Sequence, residues 1–172
     1  MATRPATRRK AHYYNASQRE LNNVIKNKTT AAWLALLGGG FGLHRFYLHG
    51  LRDPLGYALW LPTLMGLLGV RRVNEYGLDD PVSWFLLPLF GIALASSAFM
   101  AILYGLQTPE KWNARFNPQS ALDASAGNTH WGTIGAIVVA LLMGTVVLMS
   151  SVVYSAQRYF ESQVEAAREI SQ

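Results

Sequence analysis

The sequence predicts an all-α integral membrane protein with four transmembrane helices, made of a short glycine-rich hairpin and two longer spans. Only 15% of the 172 residues are charged, against about 25% in an ordinary soluble domain. Four stretches contain no charged residue at all, namely 30–43, 54–70, 81–106 and 131–157. Because a soluble fold mixes polar and apolar positions at helix or strand period, this segregation excludes a single soluble domain.

The two longest apolar segments are 82–106 and 131–155. Each is longer than the ~20 residues that cross a bilayer as a helix. A helix is required because hydrocarbon offers no hydrogen-bond partner to unpaired backbone N–H and C=O groups. Interfacial aromatic residues are expected near their ends at Trp84, Tyr104, Trp131 and Tyr154. Asp80 followed by Pro81 predicts the start of the first of these helices, and Asn128 or Thr129 the cap of the second.

The first two charge-free segments are shorter. A helix over 30–43 is about 21 Å long, so we expect it to continue through Leu48, which brings His44 and Arg45 to the far interface. The second helix is predicted to begin at Asp53-Pro54 and to end at Val70. Proline at position 62 predicts a kink inside it.

The N-terminal arm, residues 1–29, is basic and is predicted to be cytoplasmic by the positive-inside rule. Four spans then place the 71–80 loop and the C-terminus in the cytoplasm as well, and the hairpin turn and the 107–130 loop outside. Arg45 and Arg52 in the turn oppose this orientation. Most of the surplus positive charge of the chain lies in this short arm. We therefore expect it to serve orientation and attraction to anionic lipid, and we predict no nucleic-acid partner.

Two amphipathic segments flank the spans. A capping box at 17–20 predicts a short surface helix in the arm, with Leu21, Val24 and Ile25 on one face. The tail, residues 156–172, is predicted to continue as a helix that packs on its own protein, on lipid headgroups or on a partner; its apolar stripe is Val153, Ala156, Phe160, Val164 and Ala167. In the loop, Trp112 and Phe116 are expected to rest on the bilayer.

The run Gly-Gly-x-Gly-x-His-Arg-Phe-Tyr-Leu at 39–48 follows a basic lead-in at 26–28 and precedes a second apolar helix. This pattern, over residues 26–72, resembles the two-transmembrane (TM-2) domain family, whose motif often has Asp where His44 stands. The resemblance implies a two-helix domain at 30–72 in a protein of prokaryotic plasma membrane type. The second pair of spans, over 73–155, lies outside the family pattern. In animal members, which resemble signalling proteins, the turn is described as cytosolic, so the side of the turn stays open.

Small residues recur at helical spacing in two places. Gly38, Gly39, Gly40 and Gly42 cost a helix about 1 kcal/mol each relative to Ala, which close packing against the second helix would offset. An unwound segment lining a binding site is the alternative. Ala136, Ala140 and Gly144 form a second stripe, which we expect to contact the third span or another copy of the chain.

The hairpin turn holds the only dense cluster of functional groups: His44, Arg45, Phe46 and Tyr47. We expect Arg45 to pair with Asp53 or with lipid phosphate, and the two aromatic residues to anchor the turn at the headgroups. A metal site from His44, His49 and Asp53 has weak support from spacing, and we predict no metal and no cofactor.

The sequence therefore predicts a non-catalytic membrane protein that assembles with itself or with other membrane proteins. Its alternative is a passive channel or transport accessory subunit, for which only scattered hydroxyl residues supply a polar lining: Thr63, Ser96, Ser97, Thr145, Ser150 and Ser151. A membrane-embedded enzyme is a third possibility, which would require a ligand bound by His44 and His49 of the turn.

Overall fold

The computed structural model describes residues 25–118 and 124–171, and within these ranges it contains helices and no strand. The predicted all-helical class is therefore confirmed. The helices are α1 (Lys28–Gly38), α2 (Leu43–His49), α3 (Pro54–Ala58), α4 (Trp60–Tyr76), α5 (Ser83–Leu106), α6 (Pro109–Phe116) and α7 (Trp131–Ile170), with 3₁₀ turns at Gly39–Phe41 and Ala124–Gly127. The arm up to residue 24, including the predicted capping box, lies outside the described residues.

The first predicted span is a hairpin of two short helices, and the expected continuous helix through residue 48 is wrong. α1 is followed by a 3₁₀ turn and by Gly42 at φ +70°, a conformation that glycine adopts without steric cost. α2 then runs back beside α1. The hydroxyl of Tyr47 accepts a hydrogen bond from the N–H of Asn27 at 2.8 Å, and the Lys26 ammonium donates to the carbonyl of Leu48. Both ends of the hairpin therefore lie together.

The second predicted span is divided into α3 and α4, which are separated at Leu59. The break precedes Pro62, where a kink was expected, because proline has no N–H to donate to the carbonyl four residues earlier. α4 continues to Tyr76 rather than ending at Val70. The predicted 71–80 loop is accordingly shorter, and its first six residues are helical.

α5 and α7 are the two described helices that are long and apolar enough to cross a membrane, and four spans are not found by that criterion. They run antiparallel in close contact. A Cβ on Gly105 would overlap the side chain of Ile137, and one on Gly144 would lie 3.0 Å from the Cβ of Ala98. The glycines therefore allow the two helices to approach closely along much of their length.

The starts of these two helices differ from the prediction. α5 begins at Ser83, two residues after Pro81. Asp80 nevertheless acts as a cap, since its Oδ2 accepts the N–H of Ser83 at 3.0 Å and the Ser83 hydroxyl at 2.6 Å. For α7 the N-cap is His130, which forms a reciprocal capping box with Thr133. The predicted caps at 128 and 129 are wrong.

The end of the molecule that holds Lys28, called the Lys28 end below, joins three helices. Lys28 is wholly buried, and its ammonium donates to the carbonyl of Gln107 at 2.9 Å and to Oγ1 of Thr129 at 2.7 Å. This explains why Thr129 does not cap α7: its hydroxyl binds the start of α1. The starts of α1 and α7 and the end of α5 therefore lie together.

The opposite end, called the Asp80 end, is held by two ion pairs. Arg72 at the end of α4 makes a two-point contact with Asp80, at 2.7 and 2.8 Å. Arg158 of α7 contacts Asp79 at 2.7 Å. These contacts place the end of α4 and the start of α5 beside residue 158, so the last twelve residues of α7 extend past this end.

Candidate functional site

A cavity of about 290 Å³ lies beneath the glycine-rich hairpin, between the hairpin, α3 and α5. Its walls come from the tip and return helix of the hairpin, from the break between α3 and α4, and from the middle of α5: Gly39, His44, Arg45, Leu55, Ala58, Leu59, Ser96, Ser97 and Met100. The cavity therefore forms where two interrupted helices meet one continuous helix.

The glycines at the hairpin tip make this close arrangement possible. A Cβ on Gly42 would overlap the backbone of Gly56 in α3, and one on Gly39 would lie 2.6 Å from the Cβ of Ser97. The carbonyl of Gly40 accepts the hydroxyl of Thr63 at 2.7 Å. The predicted contact with the second helix is present, and the segment that makes it is a 3₁₀ turn rather than α-helix.

His44 projects into the interior of the molecule. Its side chain is 98% buried, its ring lies 5.7 Å from that of Tyr104, and its Nδ1 has no hydrogen-bond partner among the described residues. The expectation that His44 reaches water at the far interface is wrong, because α2 turns back toward the Lys28 end. A buried imidazole nitrogen without a partner can hold a water molecule or a small hydrogen-bonding ligand.

Arg45 and Asp53 form the predicted ion pair across the turn, with Nε donating to Oδ2 at 2.6 Å. Asp53 also caps α3 by accepting the N–H of Leu55 at 3.2 Å. Both contacts hold the pKa of the Asp53 carboxyl below its ordinary value, the arginine hydrogen bond most strongly. The carboxylate thus joins α2 to α3.

The histidine Nδ1 of His49 lies 3.9 Å from the same Asp53 carboxylate. No third metal-binding side chain lies beside these two. Within residues 25–118 and 124–171, no group of three or more such side chains is found. His44 faces the cavity instead, so the three residues considered for a metal site do not converge.

The two aromatic residues of the motif, expected to anchor the turn at the headgroups, contact other parts of the protein. The ring of Phe46 packs against that of Tyr57 of α3 in a tilted arrangement, with ring centroids 4.8 Å apart. Tyr47 binds the backbone of Asn27 and packs against the buried core. The motif therefore fixes α2 between the start of α1 and the start of α3.

A second cluster at the Lys28 end was not expected from the sequence. Trp112 of α6 is wholly buried, and its indole N–H donates to the carbonyl of Lys26 at 2.8 Å. Its ring contacts Tyr104 and Phe116 at 6.1 and 4.5 Å between centroids. The predicted position of Trp112 on the bilayer surface is wrong. The sequence signal was Thr108 followed by Pro109, a cap residue and a first-turn proline that indicate a helix start in this loop.

The small stripe of α7 faces the rest of the molecule. Ala136 and Ala140 are wholly buried, and Gly144 meets Ala98 of α5. The stripe therefore contacts the helix predicted as the third span. This contact leaves the opposite face of α7 exposed.

Comparison of the chain with protein families, curated proteins and solved structures finds no match.

Proposed function

We propose that the chain is an integral membrane protein in which α3–α4, α5 and α7 cross the bilayer and the α1–α2 hairpin enters and leaves it on one side. The observation that carries this proposal is the exposure of the apolar helices. Only 22% of the most apolar 18 residues of α5 and 11% of those of α7 are buried, whereas the core helix of a soluble protein packs its apolar residues inside. Lipid is the natural solvent for such surfaces.

The charge distribution supports an orientation with the Lys28 end in the cytoplasm. Basic residues at this end are Lys26, Lys28, Arg45, Arg52, Lys111 and Arg115, and the sequence of the arm adds Arg4, Arg8, Arg9, Lys10 and Arg19. The Asp80 end has Arg71, Arg72, Arg158 and Arg168. With three crossings the arginines of the hairpin turn no longer oppose the positive-inside rule, and the C-terminus lies outside.

Fusions of alkaline phosphatase, which is active only outside the cytoplasm, test this topology. Fusions after Gly77 and after Ser171 should be active, and a matched fusion after Asn117 should be inactive. The four-span arrangement predicts the reverse at each of the three sites. An inactive Gly77 fusion with an active Asn117 fusion would therefore reject the three-crossing topology.

Within this topology we propose that the protein is a non-catalytic assembly component, of prokaryotic plasma membrane type, that associates with itself or with other membrane proteins. The non-catalytic part of this proposal is supported by the ionic side chains at the helix ends, which join helices within the chain: Arg45 with Asp53, Arg72 with Asp80, and Lys28 with backbone and Thr129. Purification in mild detergent tests it. A single species containing one copy and no partner would count against assembly.

Membership of the TM-2 domain family is proposed on the motif at 39–48. A turn on the cytoplasmic side, as described for animal members, agrees with the three-crossing orientation. The hairpin proposed here would then enter the bilayer without crossing it. An active phosphatase fusion at Leu51 would contradict the re-entrant hairpin and the three-crossing orientation.

A passive channel or transport accessory is the second candidate, and the cavity beneath the hairpin favours it. Irregular backbone at membrane depth occurs where it lines a cavity or is buried in protein. The chain has no cysteine, so Met100→Cys can report water access through its reaction with a charged thiol reagent. Phe99→Cys, on the exposed side of the same helix, is the control. Equal and negligible labelling of both would reject a water-filled path.

A further inference from the structure

The last part of α7 has no described element packed on its apolar side. Beyond Arg158, whose side chain contacts the Asp79 loop, the helix continues for twelve residues, about 18 Å. Large apolar side chains here are strongly exposed: Tyr159 61%, Phe160 65%, Val164 51% and Ile170 87%. In the proposed topology this segment lies outside the hydrocarbon, so lipid tails do not explain the exposure.

The exposed face has a heptad period that begins inside the proposed span and continues to the end of the helix. One set of positions, seven residues apart, is Val146, Val153, Phe160 and Ala167, and the set three residues further along is Met149, Ala156, Gln163 and Ile170. All eight residues are exposed. Apolar residues alternating at three and four form the seam of a coiled coil.

The opposite face of the segment is charged, with three acids and two bases: Arg158, Glu161, Glu165, Arg168 and Glu169. Helices that lie on a membrane surface carry Lys and Arg on the polar face, and this face has a net negative charge. Sharp helix bends occur at Pro, at Gly and Ser pairs or at π-bulges. Beyond Ser151, α7 continues as one unbroken helix with no Gly, no Pro and no adjacent serines. These features disfavour a tail folded down onto anionic lipid.

We propose that this face, residues 146–170 of α7, binds the same face of a second copy in a parallel two-helix coiled coil. The proposal rests on the proposed function, because membrane insertion gives all copies one orientation and so makes the two helices parallel and in register. Gln163 would then face the second Gln163 in the seam. A single polar pair at such a position specifies register in coiled coils.

The area available is that of a stable interface. Eight large apolar side chains on or beside the seam have half or more of their surface exposed: Val146, Met149, Val152, Val153, Tyr159, Phe160, Val164 and Ile170. Their combined exposed surface is on the order of several hundred Å² per chain, comparable to the ~800 Å² that one partner contributes to a standard interface.

Single-cysteine crosslinking in native membranes tests the proposal, since the chain has no cysteine of its own. Under mild oxidation Ala156→Cys and Ala167→Cys should give a disulfide-linked dimer. Glu161→Cys and Glu165→Cys, on the charged face, should give little. Equal crosslinking at all four sites, or none at any, would overturn the proposed face.

Disruption supplies the second arm. Phe160→Glu places two like charges opposite each other in the seam, so the Ala156→Cys crosslink should be lost, whereas Ser162→Glu on the other side should keep it. Retention in both variants would overturn the proposal, as would efficient labelling of residue 160 by a lipid-soluble carbene probe. If the phosphatase fusions report three crossings and no crosslink forms, the dimer is wrong and the membrane topology stands.

Discussion

The hydroxyl of Tyr47 accepts a hydrogen bond from the backbone N–H of Asn27 at 2.8 Å, so the hairpin ends beside the residue that caps its beginning. Asn27 also accepts the N–H of Thr29 through its side chain at 2.8 Å. One residue therefore starts α1 and holds the end of α2. This hydrogen bond holds the two ends of the hairpin together.

Gly42→Ala should destabilise the protein. The residue has φ +70° and faces the backbone of Gly56, so a methyl group adds a steric overlap to the roughly 1–2 kcal/mol of a left-handed L-residue. Thermal unfolding in detergent measures the effect. Gly135→Ala is the control, because this helical glycine has open space beside it and alanine favours helix. Equal stability of the two variants would contradict the tight tip.

Trp112→Ala should cost about 3–5 kcal/mol of unfolding free energy, the range for a large buried aromatic residue. The variant also loses the indole hydrogen bond to Lys26. Trp131→Ala should have a much smaller effect, since that side chain is 86% exposed. If both variants unfold at the same temperature, Trp112 lies at the surface as the sequence alone suggested.

Arg45→Ala should reduce the stability of the hairpin and its accumulation in the membrane, because it leaves the Asp53 carboxylate without its strongest partner. Arg45→Lys should restore only part of the loss, since one ammonium does not reproduce the guanidinium geometry. Arg52→Ala, at an exposed neighbouring site, is the matched control. A loss equal to that of Arg45→Ala would assign the effect to charge alone.

Stability should fall in acid through Asp80. The Arg72 guanidinium, followed by the Ser83 hydroxyl, holds the pKa of the Asp80 carboxyl far below its ordinary value of 3.8. A carboxyl with a lowered pKa stabilises the folded state fully above its unfolded pKa, and this contribution is lost as the pH falls below it.

Melting temperatures in detergent between pH 7 and pH 3 measure this dependence. The chain should lose stability below about pH 4, near the unfolded pKa of Asp. Asp80→Asn should be less stable at pH 7 and should show a weaker decline toward pH 3. An unchanged acid profile in that variant would mean that another carboxyl dominates.

Local patterns explain which parts of the fold were predictable. Asp53-Pro54 predicted a helix start because a carboxylate cap followed by proline acts within a few residues. The charge-free stretches predicted helices because their period and composition are properties of one segment. The pairing of Arg45 with Asp53 was also predictable, since they lie eight positions apart in the sequence, on the two sides of a tight turn.

Long-range contacts explain the errors. Residues 30–48 could form either one continuous helix or a hairpin with its tip at Gly39–Phe41. The hairpin depends on Gly56 and Ser97, which lie further along the chain and pack against the glycines of the tip. The sequence predicted Trp112 at the bilayer surface because an amphipathic segment between two apolar helices commonly lies there. Its burial depends on Lys26, which is 86 residues away.

The sequence by itself determined that the chain is helical, which segments are apolar and where the basic charge lies, because these properties follow from composition and short-range spacing. Only the tertiary structure decided that the glycine-rich segment turns back, that His44 faces a cavity and that one face of α7 remains exposed. The physical reason is that the backbone groups of a helix pair with one another inside the same segment. The direction and the burial of that helix depend instead on the other helices that pack against it.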